Sequence, residues 1–237
     1  MITIKSLRPE KVRVITVDCY GTLIDWEGGI WKAFRKAAAE DGIQLDREQV
    51  IDAYHAVEPM IEGAEFRPYR HVLAETARRV AAECDWTISP ERAEFLPRSL
   101  AAWQPFPDTN AALVKLAERF RLGVLSNVDE DLFDATRALL DVDFDFWVTA
   151  DRVESYKPDL AHFEAARPFV GDSGGWLHVA QSLFHDVAPA NALNIPVVWV
   201  NRKAEQRPAD GPLPDLEQPD LESLADWLVG SVGDHVE

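Results

Sequence analysis

The chain has 237 residues, 47% of them hydrophobic, which is enough for one core domain with a sizeable insertion or for two small domains. Its formal net charge of −17 at pH 7 excludes nucleic acid as an expected partner, and any anion must bind at a local positive spot inside a pocket. No run of 18 apolar residues and no cleavable apolar leader is present, and Cys19 and Cys84 lie far apart. We therefore expect a cytoplasmic protein with reduced thiols and no membrane contact.

Short apolar runs alternate with helical patterns along most of the chain. The first run, Val12–Val17, is rich in β-branched residues and ends at Asp18, just before a turn at Gly21. The later runs are Leu122–Leu125, Phe146–Thr149, Trp176–Ala180 and Val197–Val200. The helical patterns between them are Ala111–Phe120, Asp131–Leu140, Leu160–Phe169 and Val187–Leu193. This alternation predicts an α/β fold with a doubly wound, Rossmann-like parallel sheet and helices on both faces.

The stretch between the first two strands contains only helical patterns, which are Ile30–Asp41, Arg47–Ile61, Tyr69–Cys84 and Pro90–Trp103. We therefore predict a helical cap of residues 29–105, inserted into a core of residues 1–28 and 106–237. Such a cap would cover the carboxyl ends of the strands, where doubly wound sheets bind ligands. Further on, the Pro- and Asp-rich stretch Gln206–Pro219 predicts a surface loop, and Leu221–Leu228 predicts a last short helix.

Asp18 is the first candidate for chemistry. It stands at the carboxyl end of a predicted buried strand, with Gly21 and Thr22 in the turn that follows. The sheet would keep the carboxylate rigid, and the backbone N–H groups of the turn could orient its oxygens, which suits a nucleophile. An Asx-turn or a helix N-cap explains an aspartate at this position equally well.

Three further segments stand at the carboxyl ends of predicted strands or in the loops that follow them. They are Ser126-Asn127, Lys157-Pro158, and Ser182 with His185-Asp186. Taken singly, each has an ordinary structural explanation: a turn, a surface lysine, or an N-cap. Taken together, the strand ends would gather two carboxylates, a hydroxyl, an amide and an ammonium. The lysine would offset the two negative charges and keep both carboxylates ionised.

These segments, DCYGTLID, LSN, YKPD and the aspartate after the fourth strand, resemble the four motifs of the haloacid dehalogenase superfamily. The match is closest to its L-2-haloacid dehalogenases, which also share the strand end Val200-Asn201-Arg202. The resemblance implies a dehalogenase of small 2-haloalkanoic acids that forms an ester on Asp18. It implies Asp18, Thr22, Lys157 and Asp186 as catalytic residues. The residues expected to bind the halogenated carboxylate are Cys19, Tyr20, Ser126, Asn127, Arg67, Arg70, Ser182 and His185.

Position 20 separates the subfamilies. The phosphatases of the superfamily have a second aspartate there, which protonates the leaving alcohol, whereas this chain has Tyr20. A tyrosine, with a usual pKa of about 10, does not replace that acid near neutral pH, and a halide leaves without a proton. We therefore expect no cofactor, with Mg²⁺ needed only if the chain is a phosphatase.

The chain departs from the dehalogenase pattern in three ways. The cap arginine that grips the substrate is replaced near its position by Tyr54 and His55, so Arg67 and Arg70 are candidates for that role. A tyrosine six residues after Lys157 is replaced by Phe163, for which ring packing is expected. In the fourth motif Leu183 replaces an asparagine, and His185 is either a hydrogen-bond donor in the site or a core histidine.

Two other functions stay open. One is a phosphatase or phosphonate hydrolase of small metabolites that uses the same Asp18. The other is a non-catalytic binding protein that keeps the fold. The resemblance also allows a homodimer, although no segment of the sequence indicates an interface.

Overall fold

The computed structural model describes residues 7–63, 65–171 and 175–233, with side chains as far as residue 230. In this part of the chain, six parallel strands form one sheet in the order β3-β2-β1-β4-β5-β6. The strands are β1 (Val14–Val17), β2 (Arg121–Ser126), β3 (Phe146–Thr149), β4 (Trp176–Ala180), β5 (Val197–Val200) and β6 (Leu216–Gln218). The predicted doubly wound parallel sheet is confirmed. β1 is a central strand, β2 and β3 follow on one side of it, and β4, β5 and β6 follow on the other.

Both faces of the sheet are buried, as the short apolar strands predict. Successive side chains of β1 point to opposite faces, so that Ile15 belongs to one apolar cluster and Val14 to the other. The cluster with Ile15 contains side chains of α6 (Thr109–Ala117) and α11 (Leu221–Gly233). The cluster with Val14 contains side chains of α9 (Ala161–Val170) and α10 (Ala188–Ala192), which places helices on each side.

The segment between β1 and β2 is helical, as predicted, and we call it the insertion. Its helices are α1 (Trp26–Glu40), α2 (Arg47–Glu62), α3 (Tyr69–Glu83), α4 (Pro90–Ala93) and α5 (Phe95–Ser99). The single helix predicted over Pro90–Trp103 is wrong, because it is divided into α4, α5 and a 3₁₀ turn at Leu100–Ala102. Pro97 explains why α4 ends at Ala93. Proline has no N–H to donate to the Ala93 carbonyl four residues earlier, and the proline ring crowds that carbonyl.

The remaining helices are α7 (Glu130–Arg137), which follows β2, and α8 (Ala150–Val153), which follows β3. A 3₁₀ turn at Pro9–Lys11 precedes β1, and a π-helical turn at Leu183–Val187 follows β4. None of the helices in the described part of the chain is long and apolar enough to cross a membrane. The prediction of a loop over Gln206–Pro219 is wrong at its end, where β6 pairs in parallel with β5. This edge strand has three residues and one exposed side chain, so it leaves no apolar run in the sequence.

The strand register determines where the functional groups meet. Val17, the last residue of β1, is paired with Val124 of β2 and with Val179 of β4. The residues that follow these three positions therefore emerge at one edge of the sheet. Asp18 is fixed there by its own backbone N–H, which donates to the Val179 carbonyl at 3.0 Å.

Candidate active site

A cavity of about 240 Å³ opens at this edge, between the strand ends and α2 of the insertion. Its volume suits a small molecule. The residues that line it are Asp18, Tyr20, Trp26, Tyr54, His55, Glu58, Pro59, Glu62, Tyr69, Trp103, Ser126, Asn127, Lys157, Gln181, Ser182, His185 and Asp186. Three of the four predicted catalytic residues are therefore on its wall, and the fourth, Thr22, is buried directly behind Asp18.

Asp18 receives a hydrogen bond on each carboxylate oxygen. Thr22 Oγ1 donates to Oδ2 at 2.7 Å, and Lys157 Nζ donates to Oδ1 at 2.8 Å. Thr22 Oγ1 in turn accepts from the backbone N–H of Gln181 at 2.9 Å, which fixes the hydroxyl. Burial raises the pKa of Asp18, but Lys157 and Thr22 act against that rise. The two donors favour the ionised form that a nucleophile requires.

Lys157 bridges the two carboxylates of the site. Its ammonium lies 2.8 Å from Asp18 Oδ1 and 2.7 Å from Asp186 Oδ1, and it also donates to the Leu125 carbonyl at 2.9 Å. All three ammonium protons are therefore used, although the residue is only 1% exposed. Burial acts to lower the pKa of Lys157, yet the two carboxylates outweigh burial and raise it.

Asp186 uses its two oxygens differently. Oδ1 accepts from Lys157, and His178 Nε2 lies 3.1 Å from the same atom. Oδ2 is buried and has no hydrogen-bond partner among the described residues. Burial acts to raise the pKa of Asp186, but Lys157 and His178 outweigh it and hold that pKa below its usual range. The result is an ionised carboxylate on the cavity wall, with one oxygen, Oδ2, that has no hydrogen bond among the described residues.

The Tyr20 side chain does not supply an acid to the cavity. Its hydroxyl is 2.7 Å from Thr136 Oγ1, and its ring packs edge-on against Trp103 with centroids 5.9 Å apart. Burial raises the pKa of Tyr20 well above its usual value. The position that carries an acid in the superfamily's phosphatases therefore contributes an apolar wall and a neutral phenol.

The other predicted binding residues from the strand ends line the cavity, with one exception. Ser126 is 1% exposed and its hydroxyl has no partner among the described residues, so a hydrogen bond is available for a ligand. Ser182 Oγ is 3.2 Å from His185 Nδ1, and His185 Nε2 is 3.5 Å from Glu62 Oε2. Burial acts to lower the pKa of His185, but Glu62 outweighs burial and raises it. The exception is Cys19, which is fully buried behind the wall.

Asn127 lines the cavity with its amide already engaged. Its Nδ2 donates to Glu62 Oε1 at 2.9 Å and to the Lys157 carbonyl at 3.1 Å, while its Oδ1 accepts from the Lys157 backbone N–H at 2.7 Å. The side chain thus ties the loop after β2 to the loop after β3 and to the insertion. This arrangement positions Lys157 from its backbone side.

The two candidate arginines do not reach the cavity. Arg70 forms ion pairs with Asp129 and Asp131 at the start of α7. Arg67 also lies outside the set of lining residues, and its carbonyl accepts from the Tyr156 hydroxyl at 2.7 Å. Placement therefore argues against the prediction that these arginines grip a substrate carboxylate. Acidic residues at the start of α7 attract Arg70, which is a tertiary contact that no sequence pattern indicates.

The insertion instead contributes acidic groups that the sequence reasoning missed. Glu58 and Glu62 of α2 both line the cavity. Glu58 accepts from the Tyr69 hydroxyl at 3.0 Å, and burial, followed by the neighbouring Glu62, raises the pKa of Glu58 to about 7. The spacing of four residues from Tyr54 to Glu58 to Glu62 puts them on one helical face, and that spacing was the available signal.

Arg202 stabilises the turn that follows Asp18. It belongs to the strand end Val200-Asn201-Arg202, which the L-2-haloacid dehalogenases share. Its Nε and Nη2 donate to the Thr22 carbonyl at 3.1 and 2.8 Å, and its guanidinium pairs with Asp108. The turn that carries Asp18 is thus held on both sides, by Arg202 and by the Gln181 backbone.

The groups around Asp18 do not fit a Mg²⁺ site. The ion prefers several oxygen ligands in octahedral geometry, but the facing oxygens of Asp18 and Asp186 are both bonded to Lys157. Within the described ranges, no group of three or more His, Cys, Asp or Glu side chains could hold a metal ion.

Lys157→Met should be strongly destabilising, because it leaves two carboxylates buried without their counter-ion. We expect the free energy of unfolding, measured by urea denaturation, to fall by about 3–5 kcal/mol. Lys115→Met is the control, since Lys115 pairs with Asp226 at the surface and its loss should change stability by less than about 1 kcal/mol. Equal effects of the two substitutions would contradict the bridging role of Lys157.

Comparison with known proteins shows the family of this chain. The model of the haloacid dehalogenase-like hydrolase family matches residues 12–173. The chain is 29% identical over 235 residues to (S)-2-haloacid dehalogenase H-109 of Pseudomonas putida, which covers 93% of this chain and 99% of the relative. It is 31% identical over 226 residues to phosphoglycolate phosphatase of Rhodospirillum rubrum, covering 91% of this chain and 90% of the relative.

Solved structures support the fold. The L-2-haloacid dehalogenase from Xanthobacter autotrophicus has a TM-score of 0.80 at 18% identity, covering 92% of this chain and 99% of that one. A defluorinating L-2-haloacid dehalogenase has a TM-score of 0.79 at 23% identity, covering 92% of this chain and 95% of that one. The family match spans more than half of the sequence, and the chain belongs to the haloacid dehalogenase-like hydrolases.

Proposed function

We propose that this protein hydrolyses the carbon–halogen bond of small organohalides, among them 2-haloalkanoic acids, through an ester on Asp18. One observation carries the proposal: a carboxylate with two fixed donors faces a small cavity in which position 20 supplies no acid. A halide leaves without protonation, whereas an alkoxide needs a proton. Relatives named 2-haloacid dehalogenases support the same chemistry.

In the first step, one Asp18 oxygen attacks the carbon that bears the halogen. The new C–O bond forms as the carbon–halogen bond breaks, and the halide leaves with the bonding electron pair. Thr22 and Lys157 orient the carboxylate before attack. The aromatic wall of Tyr20, Trp26 and Trp103 surrounds the reacting carbon and limits its substituents to small groups.

In the second step, water attacks the carbonyl carbon of the Asp18 ester. The free Oδ2 of Asp186 accepts a proton from this water, since it is ionised and has no other partner among the described residues. The bond between the Asp18 carbonyl carbon and the substrate oxygen then breaks, and protonated Asp186 returns its proton to that oxygen, so that the hydroxy acid leaves as an alcohol. The second proton of the water is lost from the Asp18 carboxyl to solvent, and the Asp18 carboxylate is restored. Lys157 remains protonated throughout.

We assign the unpartnered Ser126 hydroxyl as the donor to the substrate carboxylate, and His185, whose ring nitrogens lie next to Ser182 and Glu62, as the basic group beside it. Residues 29–105 act as a cap that closes the cavity above Asp18, and α2 supplies its upper wall. The same α2 wall also carries Glu58 and Glu62, which disfavour an anion. Uncharged organohalides such as 2-haloamides are therefore a second substrate class that this cavity suits.

Phosphate ester hydrolysis is the second candidate function, because one relative is a phosphoglycolate phosphatase. It is the weaker candidate, since Tyr20 is bonded to Thr136 and the two site carboxylates are bridged by Lys157. Binding of a phosphate dianion would also place it against the acidic side chains of α2.

Halide release is the direct test of the proposed function. We expect release from at least one of chloro-, bromo- and fluoroacetate, chloroacetamide and the two 2-chloropropionates, with or without chelator. Asp18→Asn should lower it at least about 10³-fold with the thermal midpoint retained. Asp134→Asn is the control, because that exposed aspartate pairs with Arg137 and should leave the rate unchanged. Turnover that survives Asp18→Asn, or Mg²⁺-dependent release from an aryl phosphate alone, would contradict the proposal.

The pH dependence should differ between anionic and uncharged substrates. Glu58, which faces Glu62, Tyr69 and His185, ionises as the pH rises through about 7 and adds negative charge to the cavity. We expect the KM for chloroacetate to rise about fivefold across this range, which corresponds to roughly 1 kcal/mol of repulsion. The KM for chloroacetamide should stay constant, and Glu58→Gln should remove most of the rise for chloroacetate. A KM for chloroacetate that is independent of pH would be evidence against this charge effect.

A further inference from the structure

A line of buried polar side chains runs through the sheet to Asp186. Thr16 of β1 and His178 of β4 are register partners on neighbouring strands, and both are fully buried. Trp176 Nε1 donates to Thr16 Oγ1 at 2.8 Å, and Thr16 Oγ1 lies 2.8 Å from His178 Nδ1. His178 Nε2 lies 3.1 Å from Asp186 Oδ1. The line therefore joins the middle of the sheet to the active-site carboxylate.

The chemistry of these groups sets the direction of each hydrogen bond. A carboxylate oxygen only accepts, so His178 Nε2 carries the proton and donates to Asp186. In the neutral imidazole, Nδ1 then accepts from the Thr16 hydroxyl, whose oxygen accepts from the Trp176 indole. With a charged imidazole, the Thr16 proton would have no acceptor among the described hydrogen bonds. The tautomer is thus fixed by Thr16 on the neighbouring strand.

Packing fixes the ring of His178 as well. Phe163 of α9 contacts it edge to face, with centroids 4.9 Å apart, and Phe163 is itself fully buried. Phe163 thus has the ring-packing position expected for it. Polar groups in such an apolar layer cost stability unless each is bonded, and here every polar atom of Trp176, Thr16 and His178 has a partner.

We infer that His178 is a positioning residue for the second, hydrolytic step: it fixes Asp186 through Oδ1 so that Oδ2 alone faces the water. The inference rests on the proposed function. Lys157 and His178 both bond Oδ1, and together they define the plane of the carboxylate. Oδ2 is then left without a hydrogen-bond donor among the described residues, in a side chain that lines the cavity. Attack by Asp18 on the substrate does not require this oxygen, so the two steps depend on His178 to different degrees.

Two substitutions separate this role from packing. His178→Gln retains a donor at about the position of Nε2, within reach of Asp186, whereas His178→Asn offers polar atoms near the position of Nδ1 and cannot reach Asp186. Thr16 keeps a partner in His178→Asn but loses it in His178→Gln, so recovery of the rate by His178→Gln would be due to the bond with Asp186. Trp86→Phe is the control. It also removes a ring N–H that donates to a carboxylate, that of Asp41, but Trp86 is in the insertion and away from Asp186.

The readout is single-turnover kinetics with the most active halide substrate. We expect His178→Asn to show a burst of halide followed by hydroxy-acid release at least about tenfold slower than wild type, with ester accumulating on Asp18 by mass spectrometry. The rate constant of halide release in the burst should change less than about threefold. His178→Gln should recover most of the second rate, and Trp86→Phe should lower the thermal midpoint without changing either step.

The pH profile gives a second readout. Asp186 is faced by Lys157, Asp18, His178 and His185, and it must be ionised to accept a proton from water. Loss of the His178 donor raises the pKa of Asp186, so the acid limb of ester hydrolysis should move to higher pH by about one unit in His178→Asn. His178→Gln should leave this limb in place.

The inference is overturned if His178→Asn hydrolyses the ester at the wild-type rate, or if His178→Asn and His178→Gln slow both steps equally. A wild-type protein that releases no halide contradicts the proposed function itself. These failures are distinguishable, because the first two appear only in the variants and the last in the unmodified chain.

Discussion

The ammonium of Lys157 lies between two buried carboxylates, and the rest of the site depends on that arrangement. Two unpaired negative charges at this depth would each cost several kcal/mol, so Asp18 and Asp186 remain ionised only because one cation bonds both. The three bonds of the ammonium reach β1, the end of β2 and the loop after β4. The sheet order and register place these points within one side chain's reach, and this constraint links the fold to the chemistry.

The upper wall of the cavity is acidic and lacks the counter-ion that the floor has. Below, the charge of Lys157 offsets one of the two carboxylate charges. Above, α2 presents Glu58 and Glu62, with His185 as the basic group between them and the core. A carboxylate substrate must enter against this wall, whereas an uncharged organohalide need not. Substrate charge and solution pH therefore become linked properties of this site, through a glutamate whose pKa burial raises to about 7.

Much of the core of the site could be predicted from the sequence. The carboxyl ends of parallel strands meet at one edge of the sheet, and this does not depend on the conformation of the loops. Asp18, Lys157 and Asp186 follow from that rule alone. Side chains that depend on packing angles could not be predicted. Arg70 pairs with Asp129, and Glu62 lines the cavity because of how α2 lies over the ends of the strands. His178 was missed for another reason: one histidine in an apolar strand gives no sign of the partner that its ring will find.

The central claim is that Asp18 is the nucleophile and is regenerated by water. A single turnover in ¹⁸O-water, with enzyme in excess over a substrate that releases halide, tests it most directly. Because water attacks the Asp18 carbonyl carbon, the label should enter the Asp18 carboxylate, and the product hydroxyl should carry the unlabelled oxygen that Asp18 supplied. Label in the product hydroxyl, with none in the peptide that contains Asp18, would show that water attacks the substrate directly and would contradict the account.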